Sequence, residues 1–491
     1  MGSEAVVDLQ PSVLWKHFEA ISAIPRSSKN EAAVARYVTE VATRSGCTIN
    51  RDKAGNLLIR CPATPGLESS PSICLQGHLD MVCEKNSGTL HDFMKDPIRL
   101  RRQGNLVKAE ETTLGADNGI AVAAMLALLE DGSLPHGPLE MLLTVDEETG
   151  LTGARLLDSS LIQSRMLLNL DSEEEGAIYI GCSGGRDTIG HWKPLWENLG
   201  DKHHSATLTI RGLKGGHSGL DIDRQRGNAI KILGRLLLPL HERGVRIAGL
   251  QGGSKSNAIP REAQAAMYIP EKRVNELQEL VRTLGQIILG ELSHVDPDLQ
   301  VELQVGAVKK GKVLKRVQVR RILQVINALP HGVIKMSPDI SGLVQTSTNV
   351  GVISSGRKLI SLATSQRSAV SSELDAIANS VASLLDLGGA DLEQNPGYPG
   401  WKPNLESRLL ELAGHTYERL YGKRPEIRAI HAGLECGIIG EKIGDIDMIS
   451  FGPTIENAHS PDECLHIDTV DRFWNYLREL LRVLAAERVL H

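Results

Sequence analysis

The segment Leu139-Glu140-Met141-Leu142-Leu143-Thr144-Val145-Asp146-Glu147-Glu148-Thr149-Gly150 decides how the chain is read. Its first seven residues form an almost unbroken apolar run of strand length, the pattern of a strand covered on both faces. The run ends on two adjacent acids, Glu147 and Glu148, at the strand edge where α/β sheets place their sites. Neighbours in extended chain point to opposite faces, so the two carboxylates are expected to do different jobs. A second run, Met166 to Leu170, ends the same way on Asp171. A third, Ser72 to Gln76, leads into Gly77-His78-Leu79-Asp80. Glu31 to Thr43, entered through the polar Ser27-Ser28-Lys29-Asn30, and the Ala- and Leu-rich Asn118 to Glu130 read as helices. Strands alternating with helices predict an α/β layered domain.

Farther along the pattern changes. After Gly181-Cys182-Ser183-Gly184-Gly185, amphipathic helices (Arg226 to Leu240, Glu271 to Leu289) lie between short strands. Gly- and Pro-rich segments at 387–389 and 395–400 mark a second boundary. None of the main acidic and histidine candidates falls between, so a second domain inserted into the first is expected. The expected parts are residues 1–184, 185–398 and 399–491. Leu213 to Asp223 and Val333 to Thr348 each open on a Gly- and Ser-containing turn, which suggests an insert doubled internally.

At 491 residues the chain exceeds one ordinary domain, and its 41% apolar content suffices for a sizeable core. A net charge of -6 gives no reason to expect nucleic acid or an anionic membrane as partner. Seven cysteines, an odd number with no C-x-x-C pair, point to reduced thiols. The N-terminus lacks a basic segment followed by an apolar one, and the longest clean apolar run, Ala121 to Leu129, is too short to span a bilayer. These features predict a soluble cytoplasmic protein.

His78 and Asp80, two apart, share a face in extended chain. They read either as a polar loop or as a metal-ligating imidazole whose other ring nitrogen is held by a carboxylate. Asp117, in Leu114-Gly115-Ala116-Asp117-Asn118-Gly119, is either a helix cap or a carboxylate bridging two metals. In the Glu pair, one ligand and one general base is the natural division. Asp171 closes a strand, and His459 lies in the polar loop Asn457-Ala458-His459-Ser460-Pro461-Asp462-Glu463. The acids Glu173-Glu174-Glu175 read as a solvated face. Imidazoles and carboxylates without thiolates suit two divalent ions, zinc first, with manganese or cobalt as substitutes.

These strings resemble the aminoacylase/carnosinase superfamily of co-catalytic zinc peptidases, most closely its branch acting on Xaa-His dipeptides. The resemblance extends through Lys214-Gly215-Gly216-His217-Ser218-Gly219, Ser256-Asn257-Ala258-Ile259-Pro260-Arg261 and His431-Ala432-Gly433-Leu434-Glu435-Cys436-Gly437. It implies an α/β catalytic domain, a mixed sheet covered by helices, with an inserted α+β lid domain. It implies that His78 and Asp171 hold one zinc and Glu148 and His459 the other, with Asp117 bridging. Asp80 would orient His78, and Glu147 would be the base. It further implies a cis peptide bond at Asp117–Asn118. His217 would be the lid histidine that stabilises the oxyanion, Asn257 and Arg367 would hold the substrate's C-terminal carboxylate, and Glu435 would lie behind the ligands. The implied reaction is hydrolysis of dipeptides with a free N-terminus, β-alanyl-histidine among them. Deacylation of N-acyl amino acids, tripeptide cleavage and a catalytically silent metal-binding role are the alternatives. The resemblance implies either a homodimer formed through the lid or a doubled lid that lets one chain supply what a second subunit otherwise would.

Overall fold

The computed structural model describes residues 5–200 and 202–487, and the chain divides into two compact units. Of the described residues, unit 1 takes those within 1–181, 403–429 and 434–491, and unit 2 those within 182–402 and 430–433.

Unit 1 is built on a mixed sheet. Its first six strands are, in spatial order, Thr48–Arg51, Leu57–Cys61, Leu139–Thr144, Ile73–His78, Met166–Asn169 and Asp447–Ser450. The 139–144, 73–78 and 166–169 strands run parallel, and 447–450 continues that sense beside 166–169. Their residues are buried almost throughout, in keeping with their unbroken apolar sequence. The helix Ala116–Glu130 has no polar face, and Asn118 to Leu128 are all buried, so it packs as an interior helix. Parallel strands point their C-terminal ends the same way. His78, the Glu147–Glu148 turn and Asp171 therefore emerge side by side. A separate four-stranded sheet in this unit pairs Ile455–Glu456 with Cys464–His466, and the latter with Leu106–Ala109.

Unit 2 is a nine-stranded antiparallel sheet with helices, and its order reveals two copies of one βαββαβ plan. The first copy runs His203–Arg211, helix Ala229–Glu242, Arg246–Gly252, Ala263–Pro270, helix Val274–Leu292, Gln300–Val308. Its strands lie in the order fourth, first, third, second. The second copy runs Gly184–Trp192, helix Arg316–Ala328, Val344–Ser355, Ile360–Ser368, helix Ser371–Leu387, Asp391–Gln394. Its strands repeat that order in mirror sequence along the sheet. The copies meet at their second strands, through the pairs Gln251↔Ser354 and Gly252↔Ile353. One apolar core runs beneath both, including Leu208, Leu236 and Met267 from the first and Val350, Leu362 and Val381 from the second. Leu213 to Asp223 and Val333 to Thr348 are not equivalent. One follows the first strand of its copy, and the other starts in the short strand Gly332–Met336 and runs into the second strand, Val344–Ser355. The repeat is real, but its signal lies in element order, which short turn strings do not carry.

The expectation of reduced thiols fails at one place. Cys47 and Cys61 are joined, with Cα atoms 4.6 Å apart. They stand one step beyond the pair Thr48↔Arg60 in an antiparallel hairpin, which brings opposite residues together whatever their spacing in sequence. Among the described residues, no helix is long and apolar enough to cross a membrane.

Candidate metal centre

Three groups of donor atoms converge in unit 1. His78, Asp117 and Asp171 form one, Asp117, Glu148 and His459 another, and His78, Glu147 and Glu148 the third; within each, the donors lie within 4.8 Å of one another. The carboxylate of Asp117 is shared, with its oxygens turned to different partners. Oδ1 faces His78 Nε2 at 3.0 Å, and Oδ2 faces His459 Nε2 at 3.0 Å. Asp171 Oδ1 completes the first group at 3.3 Å from His78 Nε2, and Glu148 Oε2 the second at 3.1 Å from His459 Nε2. Ligands bound tetrahedrally at about 2.0–2.2 Å stand roughly 3.3–3.6 Å apart, so both groups suit one ion each. Glu148 Oε1 is buried without a hydrogen-bond partner, as expected where a cation would complete the site.

The electrostatics agree. Burial raises Asp171 to about 6 despite the nearby His78, and Asp117 and Glu148 push it the same way. Burial also lifts Glu147 well above the ordinary carboxylate range, aided by Asp171, Glu435 and Glu148. Hydrogen bonding to Asp117 and Glu148 holds the proton on His459 up to about 11. Several buried acids crowded together need positive charge, and here protons occupy the place of cations.

The loops are held by residues that sequence reading missed. Glu463 accepts hydrogen bonds from the backbone amides of Leu114, Gly115, Ala116 and Asp117, at 2.7–3.4 Å. The buried Arg26 donates to the carbonyls of Leu79, Asp80 and Gly115, tying the strand end to that turn. Gly115 has φ 69°, and a Cβ there would lie 2.6 Å from the Arg26 guanidinium, so only glycine fits. The Asp117–Asn118 bond is cis. Arg26 and Glu463 are marked by no spacing in the sequence, whereas the cis bond is the one the resemblance implied.

Asp80 does more than orient His78. Its Oδ1 lies 3.5 Å from His78 Nδ1, and Ser28 Oγ donates to its Oδ2 at 2.7 Å. It also accepts from the amides of Glu147 and Glu148, at 3.1 and 3.2 Å. Burial alone would raise Asp80; the bonds from His78, Ser28 and the Glu147 amide outweigh it and hold the group at about 2. The expectation that the Glu pair diverges as extended chain does not hold. The strand stops at Thr144, Asp146 turns at φ 52°, and both carboxylates reach within 4.8 Å of His78. What separates them is partnership, since Glu148 belongs with Asp117 and His459. Behind the strands, Glu435 Oε2 accepts from Gln76 and Thr144, both at 2.6 Å. The acids after Asp171 are not merely solvated: Glu174 pairs with Arg428 and Glu175 with Arg472.

Unit 2 holds the remaining candidates. His217 pairs across from Ala258 in a two-residue ladder, and Ser218 N donates to Asn257 O at 2.9 Å, which sets Asn257 beside it. His217 Nδ1 accepts from the amides of Gly219 and Leu220, at 3.2 and 3.1 Å, which leaves Nε2 to carry the proton. Burial, with the Arg367 charge nearby, lowers its pKa and keeps it neutral. Arg367 is buried, donates to Tyr398 Oη at 3.0 Å and lies across from Ser347. His431, unremarked as a site residue, meets Ser347 Oγ at 2.7 Å. Burial, then Arg367 and His217, push His431 down to about 3.

Comparison with known proteins gives concordant results. The family model described as Peptidase family M20/M25/M40 matches residues 74–483. The chain is 42% identical over 480 residues to the cytosol non-specific dipeptidase of Escherichia coli, covering 98% of this chain and 99% of that one. The crystal structure of aminoacylhistidine dipeptidase from Vibrio alginolyticus matches with TM-score 0.90 at 41% identity over 97% of each chain. Aminopeptidase PepT from Bacillus cereus shares the fold, with TM-score 0.57 at 17% identity over 97% of this chain and 99% of that one.

Proposed function

The chain belongs to the peptidase family M20/M25/M40, and from that premise we propose that it is a cytoplasmic metal-dependent dipeptidase of broad specificity. Its substrates would be dipeptides with a free N-terminus, the Xaa-His type among them. The observation that carries the reading is the divided carboxylate of Asp117, each oxygen facing its own imidazole and a second acid. The names of the Escherichia coli and Vibrio relatives support a dipeptide substrate. In this reading His78, Asp171 and Asp117 hold one ion, and Asp117, Glu148 and His459 the other, zinc being the preferred metal.

When bound, the two ions would polarise the scissile carbonyl and acidify the attacking water. Glu147 takes the proton from that water and returns it to the leaving amine nitrogen. Burial among acids raises its pKa, which suits a carboxylate that must both accept and release a proton. Asp80 fixes the backbone of Glu147 and Glu148, so base and ligand move together with His78. His217, neutral with its proton on Nε2, supplies an N–H to the oxyanion. Arg367, with Asn257, takes the substrate's C-terminal carboxylate. The repeated plan of unit 2 supports a chain that is active as a monomer, with both copies supplied in one polypeptide.

A substrate panel tests this reading: free dipeptides including β-alanyl-histidine, N-blocked amino acids and tripeptides, each with zinc and with manganese. Free dipeptides should turn over fastest. Preference for blocked amino acids would make the protein a deacylase, and preference for tripeptides a tripeptidase. No turnover with any metal would leave a silent binding protein. Sedimentation under assay conditions should find the active species monomeric.

A further inference from the structure

A fourth donor cluster stands apart from those above. Glu456, Cys464 and His466, in unit 1, bring a carboxylate, a thiol and an imidazole within 4.8 Å of one another. The sheet explains the convergence. Cys464 and His466 are two apart in one strand and share a face, while Glu456 is paired directly opposite Cys464 on the neighbouring strand. Glu456 divides its oxygens, with Oε1 3.4 Å from His466 Nε2 and Oε2 4.0 Å from Cys464 Sγ. His466 Nε2 is buried and has no partner in hydrogen-bonding geometry, although this carboxylate is the group it faces. Cys464 is a free thiol, 3% exposed, and Glu456 opens the cluster to solvent at 57%.

We propose that Glu456, Cys464 and His466 form a separate transition-metal site of zinc-type chemistry. Thiolate plus imidazole selects zinc, cobalt or cadmium over magnesium or calcium, and three protein donors leave a position for water. Binding displaces the thiol proton to solvent and forms the metal–sulfur bond, with no redox change. The cluster closes a short hairpin whose ladder has only two pairs, Ile455↔Leu465 and Glu456↔Cys464. That hairpin's loop carries His459 and Glu463, and two of its non-glycine residues, Asn457 and His459, sit at φ 56° and 64°. A metal bridging the last ladder pair pins both ends of a loop that has little else in its own ladder to hold it. Lys108, paired with Cys464 from the other side, is the competing cation. Burial, the larger influence, raises the Cys464 thiol; the Lys108 ammonium favours the thiolate and so competes with the metal for it.

Cobalt distinguishes this site from the proposed catalytic pair, whose donors are nitrogen and oxygen only. Titrating the full-length protein, first freed of metal with a chelator, with Co²⁺ should produce a thiolate-to-cobalt charge-transfer band in the near ultraviolet. Cys464→Ser should abolish the band, and His466→Asn should weaken the underlying affinity by about tenfold or more. Lys108→Gln should tighten binding, a gain that misfolding cannot mimic. No band in the native protein, or a band that survives Cys464→Ser, would overturn the assignment. Because the readout is spectroscopic, it succeeds or fails whichever substrates the protein cleaves.

Discussion

The two units hold opposite kinds of chemistry. In unit 1, Asp80, Asp117, Glu147, Glu148 and Asp171 crowd around two imidazoles, and burial pushes two of these acids, Glu147 and Asp171, toward their protonated forms. In unit 2, Arg367, His217 and His431 share a neighbourhood in which the histidines are kept neutral. One region has too much negative charge and needs cations. The other offers N–H donors and one guanidinium and needs an anion. In the function proposed above, the attacking water would call on the first kind of chemistry, and a dipeptide's anionic C-terminus and developing oxyanion on the second.

The comparison breaks most readily at Glu147. Glu147→Gln should lower kcat by about 10²–10⁴-fold, while metal content measured by elemental analysis stays as in the native protein. Parallel loss of metal would make Glu147 a ligand and merge the two roles. In unit 2, Arg367→Met should lower kcat/KM for free dipeptides by about 10–100-fold, as expected for a lost charged hydrogen bond. C-terminally amidated substrates should be affected far less; equal losses on both would remove Arg367 from carboxylate recognition. Glu463→Ala strips the acceptor from four amides around Asp117 and should weaken metal binding by about 10–100-fold, read by chelator competition. Unchanged affinity would mean that the turn holds its shape unaided.

The smallest effect concerns pH. The pKa of His431 is about 3 in the folded protein and near 6.5 unfolded. Below pH 6.5 the unfolded chain takes up a proton that the native protein refuses. The stability that neutral burial provides is therefore full above pH 6.5 and is lost as pH falls toward 3, on the order of a few kcal/mol. The difference in Tm between the native protein and His431→Asn should narrow across that window. A constant difference would show that His431 is not held neutral.

Unit 1 was legible because its site sits at the ends of parallel strands. The apolar runs ending at Val145 and Leu170 announced both the strands, which stop one residue earlier at Thr144 and Asn169, and the acids after them. Buried anchors such as Arg26 and Glu463 were not legible, since each acts through backbone atoms of distant loops and leaves no pattern. The turn at Asp146 defeated the argument from alternating side chains, because periodicity ends where the strand does. Unit 2 was least legible. His217, Asn257 and Arg367 came from resemblance rather than spacing, and the repeat lay in strand order, which local strings cannot express.

That nesting bears on how the chain is made. The first copy is contiguous and can pair all four of its strands once Val308 has emerged. The strand Gly184–Trp192 is synthesised earlier, yet its neighbours are Ile360–Ser368 and Asp391–Gln394. It must wait, both edges open, while a complete module forms behind it. Pairings so distant in sequence are slow, and an unpaired strand is a template for wrong ones. During synthesis, the stretch most in need of protection is therefore the one that emerges just before the inner module.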